Sequence, residues 1–160
     1  MFSSLVSFVK ASVASVVLAV NTVLIFSSMI PFALLKLVLP FQAVRRVTDF
    51  MLNGLASFWI AINGVWMAAV GHTRWQLSGM EGFSPRGWYL VSSNHQSWVD
   101  ILVLQKIFRG RIPFLKFFIK HELIYVPVMG LAWWALDFPF MKRRGGSSAQ
   151  KDLETARKAC

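Results

Sequence analysis

Two long stretches of this chain carry no charge, and they limit what it can fold into. Ala11 to Leu35 is 25 residues without Asp, Glu, Lys or Arg, and Phe50 to Gly71 is another 22. A helix needs about 20 apolar residues to cross the hydrocarbon core of a bilayer, so each stretch is long enough for a membrane helix. The first holds Asn21, four serines and Pro31; the second is cleaner and rich in tryptophan. A cleaved signal peptide is the rival reading of the first stretch. Its apolar core would be only about 7–15 residues and would end at a small-residue cleavage site; this run is longer and has no clear site. Composition agrees with a membrane chain. Hydrophobic residues are 56%, charged residues 15% and mean hydropathy +0.54. That balance excludes a disordered chain, which needs low hydrophobicity and high charge, and an ordinary soluble globule could not hide so large an apolar excess. The single cysteine, Cys160, excludes an internal disulfide and a multi-cysteine zinc site.

Gly54, Ser57, Ala61, Gly64, Ala68 and Gly71 recur at alternating steps of three and four. They share one face of the second helix, with Phe58, Trp59 and Trp66 off it. Small faces let helices approach closely in lipid, so this stripe is expected to pack tightly against another helix; the plainer reading is that Gly and Ala are common in membrane helices anyway. Topology is less direct. Basic flanks prefer the cytoplasm. The connector holds Lys36, Arg45 and Arg46 against one acid, Asp49, while the region from His72 onward holds thirteen basic and six acidic residues. A spanning hairpin would strand the connector's cations on the far side. A re-entrant pair that dips into one leaflet and returns avoids this, with Pro31 and Pro40 supplying bends, and is the preferred expectation.

At His72 the composition changes. Charges return, with turn residues Gly79, Gly82, Ser84, Pro85 and Gly87. Residues 1–71 therefore form a hydrophobic anchoring region, with helices at 11–35 and 50–71, and 72–160 a second domain. Within it, Trp88 to Ser92 reads as a buried strand and Ser97 to about Arg109 as a helix ended by Gly110. Ile112 to Phe118 reads as a strand, Val126 to Leu136 as a helix and Phe138 to Lys142 as a strand. An amphipathic helix begins at Ala149. Alternating strands and helices imply a parallel α/β sheet. The 89 residues from 72 onward are few for such a sheet, and the last helix is cut at Cys160, so the expectation is the first part of a truncated α/β domain.

Asn94-His95-Gln96-Ser97-Trp98-Val99-Asp100 lies where a strand passes into a helix, the place where α/β sheets carry ligand sites. His95 precedes the helix and Asp100 falls in its first turn. A carboxylate bonded to one imidazole nitrogen fixes the tautomer and makes the other nitrogen more basic. That nitrogen could take a proton from an alcohol as a general base. The plainer reading also stands: Ser97-x-x-Asp100 is a capping-box pattern that merely starts a helix.

The Asn94-His95-x4-Asp100 pattern resembles the first motif of the glycerolipid acyltransferases, typified by 1-acylglycerol-3-phosphate acyltransferase. Phe118-Ile119-Lys120-His121-Glu122-Leu123, followed by Pro127, Gly130 and Phe140-Met141-Lys142-Arg143, resembles the family's second block. The resemblance covers about residues 70 to 160 and is nearest to a bacterial inner-membrane branch with two N-terminal hydrophobic segments. It implies an α/β acyltransferase domain behind two membrane helices, with its catalytic face on the cytoplasmic side. It implies that His95, oriented by Asp100, deprotonates the hydroxyl of a lysophospholipid that then attacks an acyl thioester. It further implies that Asn94, Lys120, Lys142 and Arg143 contact substrate, and that acyl-CoA or acyl carrier protein is a co-substrate with no resident cofactor or metal. The family's third, Glu-Gly-Thr-Arg-like block is not among these residues, so a chain of this extent is expected to be inactive alone.

His72 and His121 match no compact metal motif with His95. Lys142-Arg143-Arg144 reads either as a phosphate site after a strand or as a basic patch facing anionic lipid. Trp133-Trp134 reads as core or interfacial anchoring. Two alternatives to the enzyme remain: a non-catalytic membrane-anchored interaction or lipid-binding protein that keeps the fold, and a nucleic-acid binder suggested by the net charge of +10. The last is weakest, since no nucleic-acid signature accompanies the charge.

Overall fold

A computed structural model describes residues 2–70 and 75–142. Two long helices come first, α1 (Phe2–Val38) and α2 (Gln42–Val70). Both outrun the charge-free stretches, taking in Lys10, Lys36, Arg45, Arg46 and Asp49. Each is long and apolar enough to cross a membrane. Pro31 lies inside α1 without ending it. The chain leaves the helix only at 39–41, where Pro40 sits, so one proline makes the turn rather than two. The remaining elements are α3 (Val99–Phe108), β1 (Ile119–Lys120), a 3-10 helix (His121–Tyr125), α4 (Met129–Ala135) and β2 (Phe140–Met141). The chain divides into two compact units.

The first unit comprises Met1–Ile25 and Ala56–Leu115. Its stretches of α1 and α2 are joined by side-chain hydrogen bonds. Asn21 Nδ2 donates to Asn63 Oδ1 at 2.9 Å, Trp59 Nε1 to Thr22 Oγ1 at 3.1 Å, and Trp66 Nε1 to the Ala14 carbonyl at 2.9 Å. Such bonds contribute about 0.6–2 kcal/mol each between helices in lipid. The small-residue stripe is not the face of α2 that these bonds turn to α1. In α2 the buried positions are Thr48, Leu52, Ala56, Ile60 and Asn63, a different face. Gly54 has open space over its Cα, and Gly64 is covered by the aliphatic stem of Lys106. The Lys106 ammonium donates to the Gly64 carbonyl at 3.3 Å and stands 5.0 Å from the Trp75 ring centroid.

Residues 75–98 form turns and extended chain. The expected strand at Trp88 to Ser92 has no ladder partner among the described residues; Trp88 is 83% exposed and Leu90 88%. An apolar run reads as a buried strand only if neighbouring strands flank it, and periodicity alone cannot supply them. Tyr89 instead turns back, accepting the Ser84 N–H at 2.8 Å and meeting Phe83 edge-on at 5.3 Å. Phe83 in turn meets Phe108 of α3 at 5.7 Å. The helix expected at 97–109 is present as α3, which buries Leu102 and Gln105.

The second unit comprises Phe26–Leu55 and Lys116–Cys160. Phe26, Met29, Ala33 and Lys36 of α1, at helical spacing, are buried, as are Thr48 and Leu52 of α2. Its 116–142 region is a strand–helix–strand unit. β1 and β2 pair in parallel, with Ile119 opposite Phe140 and Lys120 opposite Met141, and the Ile119 N–H bonds the Pro139 carbonyl at 2.9 Å. Parallel strands need a crossover, and the 3-10 helix with α4 provides it. The strands start later and are shorter than the expected 112–118 and 138–142. The helix expected from Val126 begins only at Met129. Val126 precedes Pro127 and is held extended, at φ −69° and ψ 120°, as the proline ring requires. Val128 then takes φ 64° in a tight turn closed by Met129 N–H to the Pro127 carbonyl at 2.7 Å. At Gly130 any Cβ would overlap the Ile124 carbonyl, so the tight return demands glycine. The described residues thus hold one two-stranded parallel pair and are mainly helical; the broader α/β sheet is not established. The helix expected from Ala149 lies outside the described residues.

Candidate active site

The Asn94–Asp100 segment enters α3 as the sequence suggests. Asp100 sits in the helix's first turn and its carboxylate points back along the chain. Oδ2 accepts the Gln96 N–H at 2.7 Å and the Ser97 N–H at 2.8 Å. The reciprocal half of a capping box is replaced: the Asp100 N–H goes to the Ser97 carbonyl at 3.1 Å, and Ser97 Oγ accepts the Val99 N–H at 3.3 Å. One carboxylate therefore ties a two-residue loop to the helix start, where a negative charge also favours the helix dipole.

The same oxygen lies 3.5 Å from His95 Nδ1. That is ion-pair range and long for a hydrogen bond; catalytic contacts of this kind tighten when substrate binds. Nδ1 faces Asp100, so Nε2 is the nitrogen left to meet a substrate. The His95 side chain is 61% exposed and that of Asp100 33%. The Ser97 and Gln96 amides, and then the neighbouring imidazole, hold the Asp100 carboxyl below the usual aspartate range. The capping and catalytic readings are thus not rivals. The carboxylate serves the loop's backbone and is positioned by it against the histidine. Asn94 is exposed in the same loop.

At the far end of α3 a cavity of about 280 Å³ opens, lined by Ser57 and Ile60 of α2 and by Gln105, Phe108, Ile112 and Phe114 among others. Gln105 is buried and its Oε1 has no hydrogen-bond partner.

The second unit brings together two more expected site residues. Lys120 ends β1, and Lys142 follows the last residue of β2. With Lys120 opposite Met141, both leave the strand pair at its C-terminal end, where parallel sheets bind ligands. Both side chains are exposed, and Lys120 lies 3.8 Å from Glu122. Arg143 and Arg144 lie outside the described residues. His121, considered above as a metal ligand, instead meets Tyr125 edge-on at 6.3 Å. Among the described residues, no three His, Cys, Asp or Glu side chains gather.

Sequence reasoning missed one cluster. Lys36, counted above as a connector cation, is 5% exposed. Its ammonium meets Asp49 Oδ1 at 2.8 Å, both oxygens of Asp137 at 2.8 and 2.9 Å, and the Ala135 carbonyl at 2.8 Å. A lysine in the last turn of a helix that is otherwise apolar was the available signal.

The acyltransferase family profile matches residues 74–160. The chain belongs to the acyltransferase family. It is 35% identical over 72 residues to 1-acyl-sn-glycerol-3-phosphate acyltransferase alpha from Homo sapiens and, to the same extent, from Bos taurus. Those alignments cover 44% of this chain and 24% of each relative, so the chain spans about a quarter of the length of the curated relatives it matches. No solved structure matches.

The loop geometry has a pH signature. Because its pKa is lowered by folding, Asp100 stabilises the loop fully above the unfolded carboxyl's titration range, and this contribution is lost as pH falls through the depressed folded value. Hydrogen exchange should therefore show the Gln96 and Ser97 amides protected until the pH is below the ordinary aspartate range, and unprotected at all pH values in Asp100→Ala. Equal exchange in both proteins would contradict the assignment.

Proposed function

We propose that this acyltransferase moves a fatty acyl group from a thioester to the free hydroxyl of a lysophospholipid of the 1-acylglycerol-3-phosphate kind. The observation that carries the reading is the His95–Asp100 pair, with Nδ1 turned to the carboxylate and Nε2 left free. Nε2 takes the hydroxyl proton as the substrate oxygen bonds to the thioester carbonyl carbon. The carbon–sulfur bond then breaks, and the departing thiolate receives the proton from the imidazolium. Asp100 favours the charged imidazole that exists between the two transfers. Lys120, Lys142 and Arg143 are assigned to the acceptor phosphate and Asn94 to the substrate near the base. Acyl-CoA or acyl carrier protein is the co-substrate, and the reading calls for no resident cofactor. The largely apolar cavity beyond α3 suits the tail of an acyl group.

The activity for which the relatives are named, 1-acyl-sn-glycerol-3-phosphate acyltransferase, supports the same acceptor class. Measurements are made on the native protein in its membrane. There, His95→Ala should lower kcat by about 10²–10⁴-fold, the usual weight of a general base. Transfer at the wild-type rate would sink the reading. A non-catalytic lipid-binding protein with the same fold is the outcome if purified native protein transfers nothing.

For location, we infer anchoring in the bacterial inner membrane with His95 on the cytoplasmic side, where acyl thioesters are made. The shallow, re-entrant arrangement is supported by what covers α2: Lys106 packs on Gly64, and Gln105 and Arg109 lie with Ser57 and Ile60 around the cavity. Such polar groups suit an interface better than the centre of a bilayer, where charge is costly. A cysteine introduced at Phe41 should resist a membrane-impermeant reagent applied from outside; labelling there would require a spanning hairpin.

A further inference from the structure

Lys36 has three donors, and the structure uses all of them on two separate parts of the second unit. Asp49 belongs to α2. Ala135 ends α4, and Asp137 is the corner residue after it, at φ 55°. That left-handed conformation is sparsely populated for a residue with a side chain. The ammonium grips both oxygens of its carboxylate and also caps a terminal carbonyl of α4, where a cation suits the helix dipole. Three residues past this corner the chain enters β2, pairs with β1, and releases Lys142. The direction in which β2 leaves α4 is therefore tied to the last turn of α1.

We propose that Lys36 is a positioning residue for acceptor binding: through Asp137 it sets the course of β2 and hence the place of Lys142, the phosphate-binding cation at its end. The proposal rests on the reading that the end of β2 holds the phosphate monoester of a lysophospholipid. Lys36 touches no substrate itself. Its burial contrasts with its partners, whose side chains are 41% and 52% exposed. Replacing the lysine thus leaves carboxylates that water can hydrate, whereas removing both carboxylates would strand a buried cation. Lys36→Met and Asp137→Asn are accordingly the informative variants, and the second keeps the Lys36–Asp49 pair intact.

The test is steady-state acyl transfer by the native membrane-bound protein, with lysophosphatidate and acyl thioester varied independently. Wild type and His95→Ala are read first. A wild type that ignores lysophosphatidate, or a His95→Ala variant as active as wild type, removes the functional reading and this proposal with it. Given a wild type that transfers and a silent His95→Ala, the two new variants decide the proposal alone. Misplacement by an ångström can cost up to about 10²-fold. The expected result is an acceptor KM raised about ten- to a hundredfold in both variants, with donor KM within about twofold. A purely structural role would reduce the amount of active protein and leave both KM values in place, and that result overturns the proposal. So does a rise of both KM values together. If Lys36→Met does not accumulate, the two KM values of Asp137→Asn decide between these outcomes.

Discussion

One buried ammonium governs how the second unit is put together. A lysine that ends an apolar helix can reach for water or be paired inside; Lys36 is paired inside. Taking a cation out of water is costly unless its donors are satisfied, and here each of them has an oxygen at hydrogen-bond length. The arrangement is specific because it needs three things at once: Asp49 facing inward from α2, the end of α4, and an aspartate at a left-handed corner. Changing any one leaves the others without a reason for their conformation. The pairing also alters the charge count used for topology, since two carboxylates offset Lys36 and leave Arg45 and Arg46 as the cations of that region.

A shared carboxylate organises the candidate active site in a similar way. Asp100 Oδ2 serves two backbone amides and faces an imidazole. A helix start therefore doubles as the device that holds a carboxylate against the histidine. This is why a capping pattern and a catalytic pattern coincide in Ser97-x-x-Asp100 and His95-x4-Asp100: both need a carboxylate in the first turn whose side chain returns toward the incoming loop.

What could be read from the sequence follows the range of the interactions. The two membrane-length helices were legible because absence of charge over 20 or more residues is a local property. Their true ends were not, because Pro40 sets the turn and the helices run through the charged residues on either side of it. α3 was legible within two residues from its apolar spacing and from Gly110. The loop with His95 and Asp100 was legible because the partners are five residues apart. Strands fared worse. Trp88 to Ser92 has the composition of a buried strand and lies exposed, and β1 begins after the stretch expected for it, since pairing is decided by a partner some twenty residues away. The small-residue stripe of α2 shows a related limit: spacing tells which residues share a face and not which face meets α1. The Lys36 cluster was least legible, joining residues 101 positions apart.

Transfer of an acyl group to a substrate hydroxyl activated by His95 is tested most directly by following thioester consumption. The purified native protein is given either lysophosphatidate or an analogue in which its free hydroxyl is replaced by hydrogen. Rapid consumption is expected with the first, matched one-for-one by diacylated product, and only background consumption with the second. Equal consumption with both would mean that water takes the acyl group, and would contradict the proposed transfer.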